Sequence, residues 1–137
     1  MKIFICSSKR FYDKVAEIKS YLEQKGHITT PPNSFDDPLQ EERIKEQNKE
    51  YHIKWKAEML RLQNKKVEEN DAILVLNYDK RGIKNYIGGN SFLEIGFAHV
   101  LGKKIFLMNE LPNLALMREE LEAVQPHILH NDISRIA

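Results

Sequence analysis

Ala72-Ile73-Leu74-Val75-Leu76, running into Asn77-Tyr78-Asp79, is the stretch that decides the fold. Its apolar residues do not alternate with polar ones, so neither face of the strand meets water. A strand buried on both faces belongs in the middle of a parallel sheet covered by helices. Upstream, Pro38 to Asn70 contains no glycine, and Tyr51, Trp55, Met59 and Leu62 recur at spacings of four, four and three. That pattern predicts one long helix, straight or bent, whose charged first half is solvated. Nearer the start, Ile3-Phe4-Ile5-Cys6 reads as a strand that opens abruptly into Ser7-Ser8-Lys9-Arg10. Phe11, Val15, Ile18 and Leu22 then mark a helix with Asp13 in its first turn and Gly26 as its stop. His27 to Thr30 is a second strand, cut off by Pro31-Pro32. Downstream come a loop from Gly82 to Gly89, a helix from Asn90 to Leu101 stopped by Gly102, and a strand from Lys104 to Met108. A helix from Leu114 to Ala123 and a short strand from His127 to Leu129 complete the chain. Strands alternating with helices imply right-handed crossovers. The expected fold is a single α/β domain over 1–137, flavodoxin-like or Rossmann-like, with a five-stranded parallel sheet in the order 2-1-3-4-5 and helices on both faces.

The 137 residues suffice for one core. Hydrophobic residues make up 42% and charged residues 30%, with 21 basic against 20 acidic side chains. This balance argues against a disordered polyelectrolyte and against a protein held on a nucleic-acid polymer by bulk charge. Apolar runs are far too short for a bilayer, and polarity returns at Ser7, too early for a secretory segment. Cys6 has no partner for a disulfide, so the expectation is a reduced, cytoplasmic protein. His127 and His130 lack the spacing and companions of a metal site, and no metal or organic cofactor is expected.

In an open parallel sheet the ligand site lies at the carboxyl ends of the strands where the order reverses, here between the first and third strands. The rule selects Cys6, Ser7, Ser8, Lys9 and Arg10 after the first, Asn77 to Asp79 after the third, and the loop Tyr86 to Glu94. Gly88 and Gly89 allow close approach of backbone to ligand, and Asn90 and Ser91 begin the following helix. Glu94 stands out there and has two readings. Ser91-x-x-Glu94 fits a capping box, in which the carboxylate only serves backbone N–H groups. A carboxylate held ionised by a helix start, beside a glycine loop at the switch point, is equally suited to attack an oxocarbenium-like carbon.

At Phe4-Ile5-Cys6-Ser7-Ser8-Lys9-Arg10, and at Gly89-Asn90-Ser91-Phe92-Leu93-Glu94-Ile95-Gly96-Phe97-Ala98 followed by Gly102-Lys103-Lys104, the chain resembles the nucleoside 2-deoxyribosyltransferase superfamily, including the 2'-deoxynucleoside 5'-phosphate N-hydrolases. The resemblance implies cleavage of the N-glycosidic bond of a nucleoside or nucleoside 5'-monophosphate, with Glu94 as nucleophile at C1'. It assigns a 5'-phosphate to Ser8 and Arg10. It also implies a homodimer or higher homo-oligomer, a small-molecule substrate, no nucleic-acid polymer and no membrane. Two positions depart from the pattern: the family's helper Asp, about eight residues before Asp71, falls on Gln63, and Asn113 stands where the hydrolases use a serine. Asp79 is the first replacement for the helper acid and Glu58 the second.

The other readings of these residues are structural. Lys9 and Arg10 oppose a helix dipole and so invite an anion, or are simply exposed. Cys6 fits a small core residue. Asp79 fits a turn, and Trp55 with Tyr51 and Met59 fits a packing stripe. A non-catalytic nucleotide-binding module and a helix-mediated assembly protein are the competing functions.

Overall fold

A computed structural model describes residues 1–136. Strands β1 (Lys2–Cys6), β2 (Ile28–Thr30), β3 (Ala72–Val75), β4 (Lys104–Leu107) and β5 (His127–Ile128) form one parallel sheet in the order β2-β1-β3-β4-β5. Ile3 lies opposite Ala72 and Cys6 opposite Val75, so β1 and β3 end level with each other. The chain leaves both strands side by side at the point where the order reverses.

Period-two alternation divides the core between the two faces. Ile3, Ile5, Ala72, Leu74 and Leu76 pack with Val15, Ile18 and Leu22 of α1 (Tyr12–Gln24) on one side. Phe4, Cys6, Ile73 and Val75 face the other way, onto Val67 of α3 (Lys49–Glu69), Ile95 and Ala98 of α4 (Gly89–Val100) and Leu121 of α5 (Arg118–Val124). A sheet clad on both faces is what the unbroken apolar run of β3 demanded.

The segment between β2 and β3 differs from the expectation of one long helix. It forms α2 (Gln40–Gln47) and α3, separated at Asn48, whose extended backbone (φ −165°, ψ 125°) breaks the helical path. The Asn48 side chain then accepts from the Tyr51 N–H at 3.1 Å and caps α3. Nor is the Tyr51, Trp55, Met59, Leu62 series a core stripe: Tyr51 and Leu62 are exposed, and the inward face carries Met59, Gln63 and Val67. The last helix starts at Arg118 rather than Leu114, with Leu114 to Met117 closed as a turn by Met117 N–H to Leu114 C=O.

Candidate active site

A cleft of about 510 Å³ opens at the carboxyl end of β1, beneath α2 and α3. Its floor and walls include Ser7 and Ser8 after β1, Asn33 after β2, Trp55, Met59 and Gln63 of α3, and Gly88, Gly89, Asn90, Ser91 and Glu94 at the start of α4. The sheet therefore brings together nine of the residues selected by the switch-point rule: Ser7, Ser8, Lys9, Tyr86, Gly88, Gly89, Asn90, Ser91 and Glu94.

Helix α4 begins earlier than expected, at Gly89, with Gly88 as its extended N-cap residue and no side chain closing the start. Glu94 is consequently the sixth helical residue, in the second turn, and Ser91 lies inside the first turn. The capping-box geometry is absent because Gly88 and Gly89 take the positions a Ser91 cap would need. Ser91, Glu94, Ile95 and Ala98 form the buried face of the helix, which turns the carboxylate inward. Glu94 is only 6% exposed. Burial pushes its pKa up to about 8, against the opposing pull of the Cys6 thiol and of Lys66 and Lys56. This corrects the expectation of a carboxylate kept ionised by the helix dipole, whose influence fades beyond the first turn. In the free protein at neutral pH, Glu94 is mainly protonated.

The cleft lining also carries a cationic turn. Lys80 N–H and C=O pair with Ile83 C=O and N–H at 3.0 and 2.9 Å, closing a tight turn over Arg81 (φ 53°) and Gly82 (φ 75°). Positive φ at both central residues is the geometry of a two-residue hairpin turn, for which Gly82 is suited. The turn holds Lys80 and Arg81 on the cleft wall. Lys80 Nζ donates to Ser8 Oγ at 2.8 Å and sits 5.0 Å from the Tyr86 ring centroid. Burial lowers the Lys80 pKa, and the positive charges of Arg81, Arg10 and Lys9 lower it further. An anion bound there relieves that repulsion. The remaining cations are already paired: Lys9 with Glu42, and Lys56 with Glu41 at 3.2 Å. Burial alone would raise the Glu41 pKa, but contacts to His52 (2.9 Å), Lys56 and Lys45 bring it below the usual range, leaving an ionised carboxylate on the wall formed by α2.

Other sequence candidates lie elsewhere. Asn77 is 0% exposed and donates to the carbonyls of Asn109 (3.0 Å) and Glu110 (2.9 Å) while accepting from Asn109 N–H (2.8 Å), so it clamps the chain after β3 to the chain after β4. Asp79 accepts from Asn85 N–H at 2.9 Å and borders a separate cleft with Lys14, Glu17 and Tyr78. Its side chain serves the turn, so it is not placed as the replacement acid. Glu58 is exposed and pairs with Arg61. Arg10 is exposed and outside the cleft lining, with only its charge reaching Lys80. Cys6 is buried just beneath the floor, its thiol 3.8 Å from the Phe4 carbonyl. Gln63, 5% exposed, donates to Asn90 C=O at 3.3 Å and ties α3 to the first turn of α4. An amide therefore occupies the cleft position at which the resemblance led one to look for an acid.

Lys80, Arg81, Tyr12, Asn33 and Glu41 are cleft residues not singled out from the sequence. Gly82 directly after Lys80-Arg81 was the available signal for the first two, since a glycine at that place marks a tight turn with a fixed display. Asn33 Nδ2 donates to Met59 C=O at 3.0 Å, which leaves its Oδ1 as an unpartnered acceptor among the described residues. No three His, Cys, Asp or Glu side chains among the described residues converge as a metal-ligand set. No helix among them is long and apolar enough to cross a membrane.

No family model matches the chain, and no curated protein matches it in sequence. Solved structures do match in fold. A CMP N-glycosidase, BcmB, from Clostridium botulinum aligns over 98% of this chain and 93% of its own, at 18% identity and a TM-score of 0.60. A 2-deoxyribosyltransferase from Bacillus psychrosaccharolyticus aligns over 78% of this chain and 71% of its own, at 17% identity and a TM-score of 0.52. The chain thus has the open α/β fold on which these two enzymes are built.

Proposed function

We propose that the protein is an N-glycosidic-bond enzyme of the nucleoside 2-deoxyribosyltransferase type, acting on nucleosides or nucleoside 5'-monophosphates. The observation that carries the reading is the inward-turned Glu94 lining a cleft at the switch point, whose lining also holds the cationic turn of Lys80 and Arg81. Ionised Glu94 attacks C1', forming a C–O bond as the C1'–N bond breaks and the base leaves with its bonding pair and takes a proton from solvent water. Water then cleaves the glycosyl ester in a hydrolase, whereas a second base takes the glycosyl group in a transferase. Trp55 and Met59 offer an apolar wall for the base, and Ser8, Lys80 and Arg81 offer donors to a 5'-phosphate. A desolvated carboxyl with a pKa near working pH suits a group that must be anionic for attack and is stabilised once esterified.

The test is a chromatographic screen of ribo- and deoxynucleosides and their 5'-monophosphates for free base, with and without a second base. Release without an acceptor identifies a hydrolase, and release only with one identifies a transferase. Gln63 in place of an acid favours a second reading, a nucleotide-binding module without turnover. That reading expects ligand binding by calorimetry and no base release under any condition.

A further inference from the structure

We infer that the protein has a second small-molecule site, beside the carboxyl ends of β3 and β4, whose ligand is a neutral planar heterocycle with adjacent N–H and C=O groups, the pattern of a free nucleobase. The site is a cleft of about 710 Å³ that shares no lining residue with the cleft of Glu94. It stands apart from the reading of Glu94, because its test is binding and not turnover. Ile18 of α1 and Met108 after β4, both buried, contribute apolar lining. Tyr78 contributes a ring held edge-on to Phe11, with 5.3 Å between the centroids. Apolar side chains with a few fixed polar groups are the usual make-up of a small-molecule site.

The polar group that carries the inference is Asn85. It lines the cleft and is 8% exposed, yet its side-chain amide makes no hydrogen bond among the described residues. The side-chain atoms there that are both unpaired and sealed off are Asn33 Oδ1 and Glu42 Oε2, so the Asn85 amide is open to the cleft. A largely buried amide without a partner costs free energy. The local fold does not ask for that amide. The Asn85 N–H goes to Asp79 Oδ1 at 2.9 Å and the Tyr86 N–H to Tyr78 C=O at 2.9 Å, so neighbouring groups close the segment. Its left-handed backbone (φ 57°) would suit glycine at least as well. Asn109 lines the same cleft and is fixed by Asn77, which accepts its N–H at 2.8 Å and its Nδ2 at 3.3 Å. That leaves Asn109 Oδ1 as a free acceptor among the described residues. Two held amides thus offer the Asn85 Nδ2 donor and the Oδ1 acceptors of Asn85 and Asn109. Lys14 and Lys84 are set against Glu17, Asp79 and Glu110, the last paired with His130, so no strong excess of either sign selects a charged ligand. The ligand must bring N–H donors and a carbonyl on an uncharged, apolar-faced frame. A free nucleobase does so, whereas a phosphate brings neither donors nor an apolar face.

The experiment titrates the full chain with uracil, the smallest base that carries the pattern, and follows ¹H–¹⁵N spectra. The side-chain amides of Asn85 and Asn109 report this site, and the Trp55 indole N–H reports the cleft of Glu94. A ligand of this size is expected to bind with a Kd of about 1 mM. Uracil is expected to shift both Asn amides along one saturable curve. 1,3-Dimethyluracil, which keeps the ring and carbonyls but has no N–H, is expected to bind there about tenfold more weakly or less. Asn85→Gly removes the amide in a residue that accepts the left-handed backbone. It should weaken uracil about tenfold or more at the Asn109 amide and leave any response at Trp55 unchanged. Should the glycine loosen the segment, Asn85→Asp, which also tolerates that backbone, removes the donor and is expected to weaken uracil likewise. Asn amides that uracil does not move, or a response at Trp55 alone, overturn the inference. So does dimethyluracil binding as tightly as uracil, or a folded Asn85→Gly protein that binds uracil like the parent.

Discussion

Replacing Glu94 by Gln is expected to make the protein more stable at neutral pH, because the native state holds a carboxyl where a carboxylate is disfavoured. The folded pKa is about 8 and the ordinary value 4.5. Between those values the native state binds the proton that the unfolded chain has released, so stability falls as pH rises. Integrating the linkage, the parent loses about 1 kcal/mol by pH 5, about 3 kcal/mol by pH 7 and about 4 kcal/mol by pH 8, relative to acid in which both states are protonated. Gln does not titrate and escapes this loss. For a domain of this size 1 kcal/mol corresponds to roughly 3 to 4 °C, so the variant should melt about 10 °C above the parent at pH 7, with the gap closing toward pH 5. Carboxylates whose pKa values are depressed, such as Asp37, Glu41 and Asp132, run the opposite way but are common to both proteins and cancel. The assay is calorimetric or circular-dichroism melting of both proteins at pH 5, 6, 7 and 8. A variant that melts with or below the parent at pH 7, or a gap that does not widen with pH, refutes the reasoning. A capping Glu94 would give that result, since losing a cap lowers stability.

The same titration governs turnover. Attack requires the carboxylate, so kcat/KM should rise about tenfold per pH unit from pH 5 to 7 and level off above about 8, as read from a pH–rate profile. Lys80→Ala should weaken a nucleoside 5'-monophosphate by about one to two decades and leave the matching nucleoside unchanged in calorimetry, the size of one charge-assisted contact. Arg10→Ala, on an exposed side chain outside the lining, should have a smaller effect that disappears in high salt. Asn77→Ala leaves the Asn109 N–H and two carbonyls without their partner and should destabilise by about 1 to 3 kcal/mol in urea unfolding. Leu93, Phe97 and Val100 lie at helical spacing along the outer side of α4, with Leu93 and Val100 exposed, so light scattering is expected to give at least a dimer rather than a 16.1 kDa particle.

The sheet was legible because β3 and β1 announce themselves as apolar runs that end abruptly, and the parallel switch-point rule then fixed where Ser7, Ser8 and Gly88 to Ser91 would meet. Boundaries were less so. The break at Asn48 involves no Gly or Pro, and its capping hydrogen bond to Tyr51 depends on a backbone conformation that the periodicity does not reveal. The three-residue spacing of Ser91 and Glu94 matches a capping box, yet the helix starts at Gly89, and that shift buries Glu94 and reverses the expected direction of its pKa. Asn77 and Asp79 lie at the correct end of the correct strand, but side-chain bonding there turns both to structural use. Lys80 and Arg81 went unselected because their place in the cleft depends on a turn with positive φ at Arg81 and Gly82.

Turnover by Glu94→Gln tests the central claim most directly, with base release, ligand affinity and melting followed on one preparation. An amide is a far weaker nucleophile than a carboxylate and brings no negative charge to an oxocarbenium-like centre. The account predicts base release lower by several decades with ligand affinity retained within a few-fold, in a protein that melts higher than its parent. Base release at close to the parent rate would contradict it.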